Sequence, residues 1–456
     1  MTVFDELMAI RDLAPPTEVR QCLGQDPVLP TRYPLGECAA DVMLAIGVAI
    51  NDLWELRSGE RQDLSVRVDH AAAALRSYQY LEVDNKGVND AFATQQGRQK
   101  ISSPHPTRDG RYFLPHMGLP HLAERILDIL KCDYELESVQ RALLGWDALE
   151  LEDAVAAAGG CGAMVRSAEE WAAHPHGQAL AARPVIEIEK IGDAPPQAFP
   201  AAGDRPLSGI RALDLTRILA GPTCARTLAE HGADVLMVTA EHLPQTPFFV
   251  MDTSHGKRTC YLDLQKAGEC DQLLSLVDEC DIFSQGYRPG VMDRLGFSPE
   301  ALAERRPGVV YVSMNCYGYD GPFRERAGWE QLAQTVTGIA HEHGGEKPHL
   351  LPAAACDYTT GYLAAFGTLL ALRKRAEEGG SWHVRASLCQ SGMMLQRQHR
   401  VAFEKDAQPG YLDEVMQQTQ TPYGPMRHLG PILNMPITPP RWNLPSVPLG
   451  SHKAKW

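Results

Sequence analysis

Residues 210–314 alternate between short apolar runs and helical segments, and this rhythm constrains the fold more than any other feature of the chain. Strands and helices in alternation form βαβ units, which build a mostly parallel sheet. The predicted strands are 210–215, 234–238, 259–262, 281–284 and 308–314. One predicted helix ends near Glu230, and two others cover 266–278 and 298–305. We therefore predict an open α/β fold with helices on both faces of the sheet. Such sheets bind ligands at the carboxyl ends of their strands, which here are the loops 216–222, 285–290 and 315–330.

The net charge and the cysteines limit the classes of protein to which the chain can belong. Its 456 residues carry a formal net charge of -14, whereas a nucleic-acid partner favours a concentrated basic face. The eleven cysteines form no CxxC pair, which in a chain of this size indicates reduced thiols. Neither the first residues nor the apolar run at 42–50 has the length of a signal-peptide core or a membrane span. We expect a cytoplasmic protein with no membrane and no nucleic-acid partner.

An internal repeat relates two distant segments. Residues 37–67 align without gaps to residues 357–387, and Gly47 and Gly59 then match Gly367 and Gly379. Each copy is predicted to be an apolar helix, a glycine turn and a strand. The identity is low, so chance similarity stays open at this point.

Asp357 is the acidic residue whose position is most suggestive. It follows the strand-like run LLPAAAC and precedes a helix expected to begin near Gly361. A carboxylate there would cap the helix by accepting hydrogen bonds from its first amides. It would equally be placed to act as a nucleophile, since carboxylates form covalent acyl intermediates. The residues alone leave both interpretations open.

Two groups of residues near the same sheet edge suggest an anionic ligand. The loop RILAGP at 217–222 brings a glycine and small residues to the start of a helix, where backbone amides approach phosphate closely. Lys257, Arg258 and the segment 286–294 add cations. Solvated surface charge explains these cations equally well.

Two further candidates have simpler explanations. His341 and His343 have no Cys or acid cluster at ligand spacing, so we interpret them as part of a polar loop and predict no metal site. Cys161 has no His or cation at a suggestive spacing and is predicted to be inert.

Five sequence elements, taken together, resemble the family III CoA-transferases. They occur in the family's order and read PLSGIRALDLTRILAGPTCARTLAEHGADV (206–235), KRTCYLDL (257–264), GYRPGVMDRLGF (286–297), VYVSMNCYGYDGP (310–322) and DYTTG (357–361). The last is the family's D-x-x-x-G helix start. This resemblance makes Asp357 a predicted nucleophile rather than only a cap.

The resemblance implies an acyl-CoA:carboxylate CoA-transferase. Asp357 would attack the acyl-CoA thioester and form a mixed anhydride, then an aspartyl-CoA thioester, and Glu330 would lie near the reacting carbonyl. The residues implied to contact CoA are Arg217, Leu219, Ala220, Leu262, Gly286, Tyr287 and Arg294. The substrates would be an acyl-CoA and a small carboxylic acid, no metal would be required, and the protein would form a homodimer.

The CoA loops depart from the family pattern at three positions. Thr239 and Ala240 stand where the family often has an acid followed by a basic residue or proline, and Gly286 stands where asparagine is common. These departures weaken the predicted CoA contacts more than they weaken Asp357.

The order of the parts is also unusual. Residues 33–192 resemble the family's later half, which normally follows the catalytic Asp, so the chain reads as the tail of one copy joined to the head of a second. The predicted parts are an N-terminal helix and linker (1–32), a tail-like helix with a small α+β domain (33–205), a Rossmann-like CoA-binding and catalytic head (206–395), and an extended Pro-rich C-terminal segment (396–456). Glu37 stands where the first copy's Asp would be. Because it is one methylene longer than Asp, we predict no catalytic role for it and one active site per chain.

Two other functions compete with CoA transfer. An acyl-CoA racemase of the same family needs bases that remove and return an α-proton, and Trp329 stands where those relatives have His. A non-catalytic CoA-binding or regulatory homologue remains the main alternative, because the CoA loop is altered and the second copy is shortened.

Overall fold

The computed structural model describes residues 1–88, 100–200 and 203–456. The helices are α1 (Val3–Arg11), α2 (Leu35–Ser58), α3 (Val68–Ala74), α4 (Pro120–Leu130), α5 (Leu136–Leu143), α6 (Ala148–Ala157), α7 (Ala168–Ala173), α8 (Pro175–Ala181), α9 (Ala220–Glu230), α10 (Pro247–Thr253), α11 (Ala267–Val277), α12 (Val291–Arg294), α13 (Pro299–Arg305), α14 (Glu330–Val336), α15 (Ile339–Gly344), α16 (Ala355–Glu378) and α17 (Leu388–Gln396).

The strands are short and fall into several sheets. They are β1 (Arg20–Leu23), β2 (Leu64–Arg67), β3 (Glu82–Val83), β4 (Lys86–Gly87), β5 (His105–Pro106), β6 (Tyr112–Pro115), β7 (Gly162–Met164), β8 (Ile186–Gly192), β9 (Arg211–Asp214), β10 (Asp234–Thr239), β11 (Lys257–Tyr261), β12 (Ile282–Gln285), β13 (Val310–Asn315), β14 (Ser381–Ser387), β15 (Met416–Thr421) and β16 (Gly424–Leu429).

A seven-stranded sheet in the order β11-β10-β9-β12-β13-β14-β8 forms the centre of the molecule. All neighbours are parallel except β14 and β8, which are antiparallel. Alternate residues of the central strands enter two cores. Ile282 and Val310 belong to the core that includes α9 and α16, whereas Phe283 and Tyr311 belong to the core that includes α11 and α13. The predicted open sheet with helices on both faces is thus confirmed.

Smaller sheets surround the central one. β5, β6 and β7 form a three-stranded antiparallel sheet beside α4, α5 and α6, and the hairpin β15–β16 joins β3 and β4. The C-terminal region expected to be extended therefore contributes a hairpin. The division into four parts stays a prediction, but β8 lies upstream of the linker and the central sheet crosses that boundary.

Two predicted elements differ from the structure. The pattern of residues 136–158 predicts a single helix, but the structure has two, because the chain turns at Gly145 and Asp147 precedes α6 in an extended conformation. The run LLPAAAC is not a strand, and the helix expected near Gly361 begins at Ala355. The reason for this early start is long-range, because the Glu330 carboxylate accepts hydrogen bonds from the amides of Cys356 and Asp357.

The two segments of the proposed repeat have the same order of elements. α2 and α16 are each 24 residues long, and each is followed by a glycine with positive φ, Gly59 at 76° and Gly379 at 71°. The strands that follow, β2 and β14, each pair in parallel with an earlier strand. The helices pack against each other. A shared origin of the two segments stays a prediction.

Within the described ranges, no helix combines the length and the apolar character needed to cross a membrane.

Candidate active site

A cavity of about 280 Å³ opens at the carboxyl ends of the central strands. The loops after β9, β12 and β13 all line it, as does Asp357 at the start of α16. Residues 119, 121 and 122, from the upstream part of the chain, close another side. The three loops that the strand pattern singled out therefore meet at one site.

A buried ion pair and a hydrogen bond from Lys257 join the two ends of the loop between β9 and α9. Lys257 is fully buried, and its ammonium group donates to Asp214 Oδ2 and to the carbonyl of Pro222, both at 2.8 Å. A Cβ at Gly221 would lie 2.2 Å from Thr216, so only glycine fits this turn. Ile218 has φ of 74°, and a β-branched residue in this region costs on the order of 1–3 kcal/mol. Lys257 therefore fixes the loop and is not a surface cation.

Ala220, the residue that follows this loop and begins α9, touches the helix that carries Asp357. A Cβ at Gly361 would lie 2.3 Å from the carbonyl oxygen of Ala220. No side chain fits between these two backbones. This contact gives the D-x-x-x-G spacing a physical cause, because the glycine one turn after Asp357 lets the loop approach the helix.

Asp357 is the third residue of α16 and faces the cavity. The residue before the helix is Ala354, and the helix has no side-chain cap, so the capping interpretation of Asp357 does not hold. Its side chain is 6% exposed. Within the described residues, no hydrogen bond to its carboxylate is formed. Burial, and then the charge of Glu330, raise the pKa of Asp357 well above its usual value.

Glu330 is the first residue of α14 and lies directly beneath Asp357. Its Oε2 accepts the backbone amide of Asp357, and its Oε1 accepts the amide of Cys356 at 3.2 Å and the side chain of Gln334 at 2.6 Å. Burial raises the pKa of Glu330 to about 7, although these hydrogen bonds act in the opposite direction. The two predicted catalytic acids are thus adjacent, and their protonation is linked.

The residues predicted to contact CoA divide into two groups. Those that line the cavity together with Asp357 are Arg217, Leu219, Ala220, Gly286 and Tyr287. Leu262 lines a separate surface cleft with Tyr261 and Asp263, and Arg294 is exposed on α12 outside the cavity. CoA contacts at all seven positions stay predictions.

Three arginines at the cavity were not singled out from the sequence. Arg288, Arg324 and Arg326 all line it. Arg288 follows Tyr287 in a segment already considered cationic, so its position was available as a signal. Arg326 bonds Asp153 at 3.0 Å, across 173 residues, and nothing local announces that contact. Arginine side chains are common partners of phosphate groups in proteins, although Arg326 is itself paired with Glu152 and Asp153.

The metal and cysteine candidates are not part of this site. Among residues 1–88, 100–200 and 203–456, no cluster of His, Cys, Asp and Glu has the geometry of a metal site. Burial raises the pKa of the Cys161 thiol far above its usual value, which is typical of an unreactive cysteine.

Comparison with known proteins agrees with the geometry. Residues 207–428 match the model of CoA-transferase family III. An acetyl-coenzyme A transferase, nodX, from Hypoxylon pulicicidum is 29% identical over 409 residues, which cover 79% of this chain and 69% of that protein. An acyl-CoA transferase from Gibberella moniliformis is 36% identical over 271 residues, covering 56% of this chain and 48% of the relative.

Among solved structures, a CAIB/BAIF family protein from Brucella suis is 27% identical, with a TM-score of 0.39, over 42% of this chain and 55% of that one. The chain therefore spans between about half and 69% of the length of these proteins. The family match covers the loops after β9, β12 and β13 and the start of α16, which line the cavity. Residues 207–428 of the chain, slightly less than half of it, are therefore similar to CoA-transferase family III.

Proposed function

We propose that the protein transfers coenzyme A from an acyl-CoA to a small carboxylic acid through Asp357. The observation that carries this proposal is a buried aspartate that faces a cavity lined by arginines and by the AGP loop. A carboxylate that accepts no hydrogen bond is less stabilised than one in water. Because its charge is less stabilised, it is a better nucleophile.

The proposed reaction proceeds through covalent intermediates on Asp357. The Asp357 carboxylate attacks the thioester carbonyl, so that a C–O bond forms and the C–S bond breaks. CoA departs as the thiolate, and a mixed anhydride of Asp357 and the donor acid remains. The thiolate attacks the aspartyl carbonyl and expels the donor acid, which gives an aspartyl-CoA thioester. The acceptor acid attacks that thioester, and the released thiolate then attacks the acceptor's carbonyl, which yields the new acyl-CoA and free Asp357.

The cavity supports binding as well as chemistry. Arg217, Arg288, Arg324 and Arg326 line the cavity, which supports a role in binding the phosphates of CoA. The remote binding energy of CoA can then be used at the reacting carbon. Fixing the carboxylate beside the thioester is worth an effective molarity of about 10⁵ M or more. A homodimer and a cytoplasmic location stay predictions of the sequence, as do the absence of a metal and of a nucleic-acid partner.

Chemical trapping tests the proposal. The full chain is incubated with an acyl-CoA, treated with hydroxylamine or borohydride, digested, and analysed by mass spectrometry. We expect modification confined to Asp357 and absent from Asp357→Asn, with Glu37→Gln as the matched control that keeps the label.

The alternatives predict different outcomes. If acyl-CoA donors never modify Asp357, the nucleophile assignment is wrong, and CoA binding without transfer would indicate a binding protein. Exchange of the α-proton with deuterated water, without a covalent trace, would indicate a racemase.

A further inference from the structure

A second cavity of about 590 Å³ lies next to the one that contains Asp357. Trp329 lines both cavities. The residues that follow it extend the connection, because Glu330 holds the amide of Asp357 and Gln331 lines the second cavity. A group attached to a carbonyl carbon at Asp357 would have to pass Trp329 to enter this space.

The wall of the second cavity is aromatic. Tyr78, Phe248 and Phe249 form a cluster with ring centroids 4.4–5.6 Å apart. Trp329 and His116 also line this cavity, and the indole stacks on the imidazole with ring centroids 4.4 Å apart. Aromatic walls of this kind favour apolar ligand surface, and the volume is within the usual range of about 300–1,000 Å³ for small-molecule sites.

Two polar side chains of the second cavity, His116 and Gln331, are uncharged. His116 is 3% exposed, and burial lowers the pKa of its imidazole to about 4, so the ring is neutral. Its Nδ1 and the Oε1 of Gln331 are buried, and a side-chain hydrogen bond with Gln331 acts against this lowering of the His116 pKa. Both side chains line the cavity, so they can also present hydrogen-bonding groups to a ligand.

The described lining of this cavity contains no lysine or arginine, and Glu124 is its formally charged member. A second carboxylate bound there would be desolvated without a cation and would face an acid of the same sign. Burying an unpaired carboxylate costs far more than burying an apolar group of the same size.

From these features we infer that the second cavity holds the side chain of the transferred acid and selects bulky, uncharged acyl groups, aromatic ones above all, over dicarboxylic acids. This inference rests on the proposed CoA transfer and specifies its substrate class. The acyl carbon lies beside Asp357, the apolar group extends past Trp329, and a hydroxyl or carbonyl on it bonds His116 or Gln331.

Transfer rates with three donors test the inference. We expect kcat/KM for phenylacetyl-CoA to exceed that for succinyl-CoA by at least about 10-fold in the full chain, with acetyl-CoA as the donor that does not need the cavity. Ala123→Phe, which fills the cavity from α4, should lower phenylacetyl transfer by about 10-fold or more and acetyl transfer by less than about 3-fold.

A charge change provides the complementary test. Leu127→Arg adds a cation to the lining and should shift the succinyl-to-phenylacetyl ratio upwards by about 10-fold, whereas Asp128→Arg, on the exposed side of the same helix, should leave it unchanged.

The results separate the two proposals. Faster transfer of succinyl than of phenylacetyl groups, or a ratio unmoved by both lining variants, overturns the substrate class and leaves CoA transfer standing. Transfer from none of the three donors overturns the proposed function itself.

Discussion

The starts of α2 and α16 have the same hydrogen bond from a helix amide to an acid, but different segments pack over them. In α16 the amide of Asp357 donates to Glu330, and in α2 the amide of Glu37 donates to Asp26 Oδ2 at 2.7 Å. The residues before the two acids also correspond, since Gly-Gln-Asp at 24–26 has the order of Gly-Trp-Glu at 328–330. An acid-bonded helix start is therefore present twice.

What packs over each helix start is different. Gly361 lets the AGP loop contact α16, whereas the matching position in α2 is Asp41, which accepts the amide of Phe4 at 3.1 Å. Glu37 is half-buried and lies 3.5 Å from His399, outside both cavities described above. We therefore expect that an acid pair at a helix start is not enough for chemistry, and that the loop that covers it decides whether a substrate can reach it.

The largest expected effect is on kcat/KM when the proposed nucleophile is changed. Asp357→Glu moves the carboxylate by about a bond length, and a misplacement near 1 Å costs about 100-fold in rate, so we expect at least that loss in kcat/KM. Glu37→Asp makes the reverse change at the other helix and should alter kcat/KM by less than about 2-fold. Equal losses in steady-state CoA transfer would show that both acids take part.

A smaller effect concerns the loop contact. Gly361→Ala places a methyl group 2.3 Å from a backbone oxygen that cannot rotate away, and overpacking of this kind costs about 1–3 kcal/mol of unfolding free energy. Asp41→Ala removes a hydrogen bond instead, which is worth about 1 kcal/mol. Urea unfolding of both variants measures the difference. A neutral Gly361→Ala would mean that the loop does not rest on the helix.

The smallest effect is on pH dependence. Only ionised Asp357 attacks, and burial raises the pKa of Asp357 well above its usual value, so kcat/KM should fall as the pH drops and should do so above the range of an ordinary aspartate. Glu330→Gln removes the neighbouring charge and keeps an oxygen for the amides. The pKa of Asp357 then falls, and the acidic limb of the profile should move to lower pH.

Asp26→Asn is the control for that measurement. Burial raises the pKa of Asp26 to about 6, so its protonation falls in the same range, but it belongs to the other helix start. Its profile should match that of the unmodified chain. A shift in this variant would mean that the limb reports general stability rather than the nucleophile.

Local pattern predicted much of the fold. The strand predicted at 234–238 is Asp234–Thr239, and the helix predicted at 266–278 is Ala267–Val277, because buried parallel strands and amphipathic helices carry their signal in consecutive residues. The start of α16 was placed too late because its first amides are bonded by Glu330, and a partner 27 residues away has no local signature.

The site was predictable only in part. Asp357 and the AGP loop carry family motifs, and the structure brings them together. The stacking of His116 on Trp329 joins residues from separate parts of the chain, and neither residue belongs to a motif that would have announced it. The aromatic cavity therefore became visible only through tertiary packing.

The antiparallel edge formed by β8 has a consequence for how such a molecule could be assembled. β8 belongs to the upstream part, yet it pairs with β14 from Ile186 to Gly192 and completes the sheet of the downstream part. Further in, Ser77 and Tyr358 both donate to the buried carboxylate of Asp252. Non-covalent contacts, rather than the covalent link, thus align the two parts. We expect that the two parts, expressed as separate polypeptides, would associate through this edge and form the same structure.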